Sequence, residues 1–361
     1  MVQLLDRLRQ LEHTAPTDLT LRQIVKPTDG RATRDLNAPL NPRITPANIT
    51  DLHPVRTMEG HQGYVHAVCF SPDASIVATG SGLTGKNNLL GREKSENVLN
   101  LWSVASGELL GRLSGAQREI RTIAFSSDGR LVAATGRNVK LWDVYTQKLI
   151  GSLGGHHPYV RGMALSSAAG LIASSSATHS AIHLWDITKR QSIATLENNE
   201  WVNCLAFSPD GTLLAVGSLS RTISIYEVAS QRRVMRLDHH ANRMQMSLSG
   251  VHVLAFSPDG GMLASVADDG GISFWEMAHF RRLGHLGGFE SDISALSFSP
   301  DSQLIACAAG NTLHICDPSR EISRLVEHTS PIDDVAWSST GGLLATVSRD
   351  KTIKMWGIQP A

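Results

Sequence analysis

The chain has 361 residues, 42% of them hydrophobic, and its 33 basic and 33 acidic side chains cancel. That neutrality argues against a general nucleic-acid or anionic-membrane binder, and no apolar run approaches the roughly 18 residues of a membrane span. The four cysteines, Cys69, Cys204, Cys307 and Cys316, lack metal-type spacing and read as buried free thiols of a reducing compartment, so the expected location is cytoplasmic.

Residues 1–51 differ from the rest. Pro16, Pro27, Pro39, Pro42 and Pro46 fall here, with Pro54 just beyond. Proline disfavours long helices and sheet interiors, so most of this segment is expected as an extended wrap or linker. Val2, Leu4, Leu5, Leu8 and Leu11 suit a short amphipathic helix that packs on the following domain or docks into a partner's groove. Charges interrupt the opening apolar residues, so the segment is no secretory signal.

From residue 52 to 361 one phrase recurs: VCFSPD at 68–73, IAFSSDG at 123–129, MALSSAAG at 163–170, LAFSPDG at 205–211 and again at 254–260, LSFSPD at 296–301 and VAWSSTG at 335–341. Its anchors are Phe70, Phe125, Leu165, Phe207, Phe256, Phe298 and Trp337. A spacing of roughly 40–45 residues with several short strands per unit predicts an all-β, seven-bladed β-propeller of four-stranded antiparallel blades. One blade cannot bury both of its apolar faces; stacking blades in a ring does.

Within each unit, strand a ends at the anchor and the Ser-Pro-Asp-Gly turn follows. Strand b is a small apolar run such as 213–216 or 343–346. Strand c ends at Trp102, Trp142, Trp185, Tyr226, Trp275, Cys316 or Trp356. Strand d carries a spaced apolar pair: Leu110/Leu113, Ile150/Leu153, Ile322/Leu325. Residues 357–361 are too few for a last strand d, whereas Val55 and Met58 have the spacing of Ile150 and Leu153. The N-terminal segment is therefore expected to complete the last blade.

These residues resemble the WD-repeat family of β-propellers. The resemblance rests on Trp142-Asp143 and Trp185-Asp186, weaker forms at Trp102-Ser103 and Trp275-Glu276, and the pairs Gly60-His61 and Gly155-His156, with His328 alone in the last unit. The sixth unit departs furthest, with Phe289 and Cys316 in place of His and Trp. The resemblance implies that His328, Thr346, Asp350 and Trp356 form the family's structural hydrogen-bond tetrad rather than a hydrolase triad. Partial sets are His61, Thr79 and Trp102; His156, Ser174 and Trp185; and Ser265, Asp269 and Trp275.

Residues 80–87, GSGLTGKN, nearly match a phosphate-binding loop. The match fails because Asn87 replaces the Mg²⁺-binding hydroxyl and a hairpin follows where a helix should begin. Asn48-Ile49-Thr50 is a glycosylation sequon that matters only in a secreted protein. His156-His157 and His239-His240 have no Cys or carboxylate framework. No metal, cofactor or catalytic residue is therefore assigned.

The entry to strand a, six and four residues before each anchor, is expected to face the channel mouth. Those steps hold Tyr64 and His66, Glu119 and Arg121, Tyr159 and Arg161, Trp201 and Asn203, Gly250 and His252, Asp292 and Ser294, and Pro331 and Asp333. Arg121 and Arg161 lie on blades two and three, and Asp292 and Asp333 on blades six and seven, which predicts a dipolar rim. Insertions at 83–96 and 238–249 (with Met244 and Met246) open on the same face. Trp201 alone among the seven tryptophans has no repeat-level duty, and Tyr, Trp and Arg are hot-spot residues.

The expected function is thus a non-catalytic scaffold that binds a protein or peptide on this face, as a monomeric propeller within a larger complex, without membrane association. The resemblance adds that such propellers usually assemble complexes. One competing reading is a hydrolase- or lactonase-type enzyme using His66, Glu119, His252, Asp292 and Asp333 as acid–base groups, though no nucleophile with a neighbouring base accompanies them. Another is a sensor module for a kinase or NTPase.

Overall fold

The computed structural model describes residues 42–82, 97–156, 160–176, 180–238 and 250–358. The helix expected near Val2–Leu11 and both insertions fall outside the described residues. The described part is an all-β propeller of four-stranded antiparallel blades, with seven such sheets among the described residues. Among them no helix is long and apolar enough to cross a membrane.

The recurring turn is where the local sequence acts first. In most units the serine hydroxyl donates to the aspartate two residues on: Ser257 to Asp259 and Ser299 to Asp301, both at 2.6 Å. The same hydroxyl accepts the N–H that reopens the chain into strand b, at 2.9 Å for Met262 and Leu304. Glycine at the end of the turn takes φ near +70°, as at Gly211 and Gly260, and Ser302 adopts φ 62° where glycine is absent. The third unit has no aspartate; Ser166 Oγ instead accepts the Ala169 N–H at 3.1 Å.

Burial grades outward from strand b. The b strands Leu171–Ser176 and Ile305–Ala309 are buried along their whole length, as expected of strands covered on both faces. The d strands are mostly exposed, and the spaced pairs differ in how far they reach the core: Ile150 packs partly buried beside Leu153, and Ile322 and Leu325 are both partly buried. Leu113 and Leu153 are buried whereas Leu110 is 46% exposed. In the six sheets whose four strands follow one another in sequence, the pairing of strand c with strand d shifts register just before the terminal Trp, Tyr or Cys. The extra residue lies on strand d, Ile193, Val234 and Leu283 among them, so it is strand d that bends there.

The last sheet orders its strands His53–Met58, Ile353–Gly357, Leu343–Ser348 and Ile332–Trp337. Pro54 sits opposite Trp356 on the outer edge, the one place a sheet tolerates proline. Register shifts between Pro54 and Arg56, leaving Val55 outward and Met58 buried. Packing starts before residue 52: Ile44, Ile49 and Leu52 join Trp337, Leu344 and Trp356 in one apolar cluster. Asn48 of the sequon is already engaged, accepting the Thr45 N–H at 2.8 Å and donating to the Arg43 carbonyl at 2.9 Å.

The inner strands Tyr64–Phe70, Ile123–Phe125, Val160–Ser166, Val202–Phe207, Val253–Phe256, Ile293–Phe298 and Ile332–Trp337 pack neighbour on neighbour in chain order, and the last also packs on the first. Gly80 and Gly82 of the phosphate-loop look-alike serve this packing. A Cβ on Gly80 would meet Ile120 Cγ2 at 2.4 Å, and one on Gly82 would meet Glu119 Cβ at 2.3 Å. The rest of that motif lies outside the described residues.

Candidate functional site

The residues four before each anchor are brought together. His66, Arg121, Arg161, Asn203, His252, Ser294 and Asp333 all line one cavity of about 620 Å³, to which every inner strand contributes. Among the described residues, those six before the anchor do not line it. Tyr64 packs edge-on against the His66 ring with centroids 6.2 Å apart, and Glu119 pairs with Arg121 at 2.6 Å. Trp201 is 54% exposed, and Asp292 is exposed. Gly250 is a backbone requirement: its φ is 57° and a Cβ would meet Leu219 Cα at 2.4 Å. Tyr159 lies outside the described residues, as do His157 and the pair His239-His240.

Several cavity residues are tied across sheets. His66 Nδ1 and Asp333 Oδ2 are 2.6 Å apart, and Arg349 Nε donates to Asp333 Oδ1 at 2.9 Å. His252 Nε2 lies 2.9 Å from the Ile293 carbonyl, and the Ser294 hydroxyl donates to the Ile332 carbonyl at 2.6 Å. The expected dipolar rim is therefore largely neutralised: Asp333 is shared by Arg349 and His66, and Arg121 is held by Glu119. Among the described residues Arg161 has no acidic partner. The His66–Asp333 pair has no hydroxyl or thiol at the far ring nitrogen, since Nε2 meets no hydrogen-bonding group among the described residues. It is a seam between the last and first sheets rather than a relay to a nucleophile. Among the described residues no three His, Cys, Asp or Glu side chains are arranged to hold a metal.

The tetrad residues of the last unit meet. His328 Nε2 and Thr346 Oγ1 are 2.8 Å apart, His328 Nδ1 and Asp350 Oδ2 also 2.8 Å, and Trp356 Nε1 donates to Thr346 at 2.9 Å. The first and third units keep the inner half: His61 with Thr79 and Trp102, and His156 with Ser174 and Trp185. In the fifth, Trp275 donates to Ser265, but Asp269 turns to His285 at 3.5 Å. The sixth substitutes Phe289 stacked edge-on against His314, which pairs with Glu321 at 2.6 Å.

The profile of the family described as "WD domain, G-beta repeat" matches residues 52–85, 107–143, 190–227, 233–276, 280–317 and 319–357, well over half the chain. The chain belongs to the WD40 family. Each match begins at or just ahead of an outer strand and runs into the next sheet; the first begins at His53–Met58. The profile marks six units. Residues 144–189, which hold Lys148–Leu153 and the three inner strands of the third sheet, are unmatched, although Trp185-Asp186 ends there. The chain is 23% identical over 310 residues to the nuclear distribution protein nudF of Aspergillus niger, covering 84% of this chain and 61% of that protein. It is 26% identical over 180 residues to the small ribosomal subunit protein RACK1z of Oryza sativa, covering 48% of this chain and 37% of that one. The chain thus spans less than two thirds of either relative.

Two charged cavity residues of this WD40 chain escaped the sequence reading. Arg349 comes from the b–c turn of the last sheet. Asp334 sits three before its anchor, where the other units carry Ala67, Thr122, Gly162, Cys204, Val253 and Ala295. A lone acid at that step was the available signal. Burial, reinforced by neighbouring Asp333, pushes the Asp334 carboxyl up to about 7, although it accepts the Val68 and Val335 N–H groups, each at 2.9 Å. The cysteines are free; burial pushes the Cys69 thiol up to about 11 and Cys204 to about 12, which keeps both protonated and poorly nucleophilic at neutral pH.

Proposed function

We propose that this chain is a non-catalytic protein-interaction scaffold, a ring of seven four-stranded blades closed by the N-terminal strand, that holds a protein or peptide on the loop-rich face around its channel. The carrying observation is Trp201. It is 54% exposed at the entry to an inner strand, whereas Trp102, Trp142, Trp185, Trp275 and Trp356 are buried at 8% or less and Trp337 is a buried anchor. A large rigid ring left in water beside an Arg-lined cavity is what an interaction hot spot requires. The pairing of His53–Met58 with Ile353–Gly357 supports closure, and the packing of Ile332–Trp337 on Tyr64–Phe70 supports a ring. The name of RACK1z places that protein in the small ribosomal subunit, which agrees with a scaffold role.

The test is affinity capture with the wild type and with Arg161→Glu combined with Trp201→Ala. Removing two hot-spot side chains should weaken capture of the partner about a hundredfold or more. The melting temperature should stay at the wild-type value, because neither side chain packs in a core cluster. Capture undiminished by the double variant would reject this face as the binding surface.

A further inference from the structure

Of the three guanidinium groups lining the channel cavity, two are compensated: Arg121 by Glu119 and Arg349 by Asp333. Arg161 is half-buried in the wall at the start of Val160–Ser166, close enough to act electrostatically on the Cys204 thiol. It has no carboxylate within ion-pair distance among the described residues. Residues 157–159 and 177–179, which adjoin Val160–Ser166 and Leu171–Ser176 in sequence, contain no Asp or Glu. A partly desolvated cation without a counter-charge is unfavourable, and the fold leaves it facing a cavity rather than open solvent.

A second observation concerns His66, another residue of the cavity wall. The His66 side chain is only 6% exposed, and its Nδ1 is held by Asp333. Its Nε2, also buried, meets no hydrogen-bonding group among the described residues. A buried polar nitrogen normally has a partner. Imidazole bonded to a carboxylate through Nδ1 offers Nε2 either as an acceptor or, when protonated, as a donor. A phosphate monoester or a carboxyl group can meet it in either form and can also take the Arg161 guanidinium in two parallel hydrogen bonds.

We infer that the channel cavity is an anion-recognition pocket in which Arg161 and His66 receive one acidic group, a carboxylate or a phosphate, carried on a side chain of the bound protein partner. This inference rests on the face-binding reading above and names the chemistry that anchors the partner. Trp201 then packs the flanking residues of the same segment, outside the cavity.

Inorganic phosphate and glutarate serve as probes, each titrated into the full chain at fixed ionic strength, with the ¹³Cε1 signals of labelled histidine as the readout. The wild type should bind at least one saturably and shift the His66 signal. Arg161→Gln should weaken binding about tenfold or more, as loss of charge-assisted hydrogen bonds does. Arg320→Gln, which removes an exposed charge paired with Asp317, should leave binding unchanged. Phosphate alone binding assigns a phosphorylated side chain, and glutarate alone an Asp or Glu. Saturable binding of neither, or equal weakening by both substitutions, overturns the inference. Partner capture separates it from the broader reading. Loss with Trp201→Ala but retention with Arg161→Gln would sink the anion pocket and leave the face, whereas retention with both would reject the face itself.

Discussion

Titratable side chains buried in the tetrads give the protein a pH dependence with a definite sign. Burial pushes His61 and His156 down to about 4 from an ordinary 6.5, because their ring nitrogens face Thr79 and Ser174 rather than water. Between those values the unfolded chain binds the protons that the folded chain refuses, so folded stability falls as pH drops from about 6.5 to about 4. The turn carboxylates act in the same direction at lower pH; the Ser257 hydroxyl and the Gly261 N–H hold Asp259 below the usual carboxylate range. Asp334, raised to about 7, works the other way, since its contribution is lost as pH climbs towards 7. Two histidines outweigh one aspartate. The melting temperature should therefore fall between pH 6.5 and pH 4, and His61→Gln should flatten that slope. A slope unchanged in His61→Gln would show that this ring titrates freely in the folded state.

The turns and the strands they join were readable from local chemistry, because a Ser hydroxyl, an Asp two residues on and a Gly at positive φ act within one turn. Strand c was readable from its terminal aromatic. Strand d was readable as a spaced pair but not in its depth: Leu110 faces water while Leu113 is core, whereas Ile150 and Ile322 pack partly buried against core clusters, a difference invisible to spacing. The strand His53–Met58 repeats that pattern with Val55 out and Met58 in. Deleting residues 50–59 removes Met58 and Leu52 from the core and exposes the edge of Ile353–Gly357. Burial of side chains of this size contributes roughly 1.5–3 kcal/mol each, so the truncated protein should melt well below the full chain. Calorimetry showing equal melting temperatures would mean that this strand contributes nothing to the last sheet. Ile44 and Ile49 could not be placed from the sequence, since nothing in a proline-rich segment reveals which apolar residues find a groove.

Across the molecule, each apolar cluster is shared by two neighbouring sheets, as where Leu141, Leu153 and Val139 meet Met163, Ile172 and Trp185. On the proposed closed ring, such shared clusters would leave no free end from which to fray, unlike an open array. Leu141→Ala, at a fully buried position, should cost about 2–5 kcal/mol. It should lower the melting temperature in a single transition, with hydrogen-exchange protection lost in the distant sixth sheet as well as in the second. Loss confined to the second and third sheets would indicate an open array.

The amino-acid sequence by itself determined the period, the turns and the a-to-d strand order of a unit, because each follows from side chains only a few positions apart; of the two steps it placed at the channel mouth, only the one four residues before each anchor supplies seven of the cavity's lining residues. It did not determine what those seven residues do. His66 and Asp333, 267 positions apart, become a bonded pair only when the last sheet meets the first. Asp334 and Arg349 join them there, and Arg161 is left without an ion-pair partner among the described residues. Interactions between groups so distant along the chain depend on the closing geometry, and only the tertiary structure supplies that.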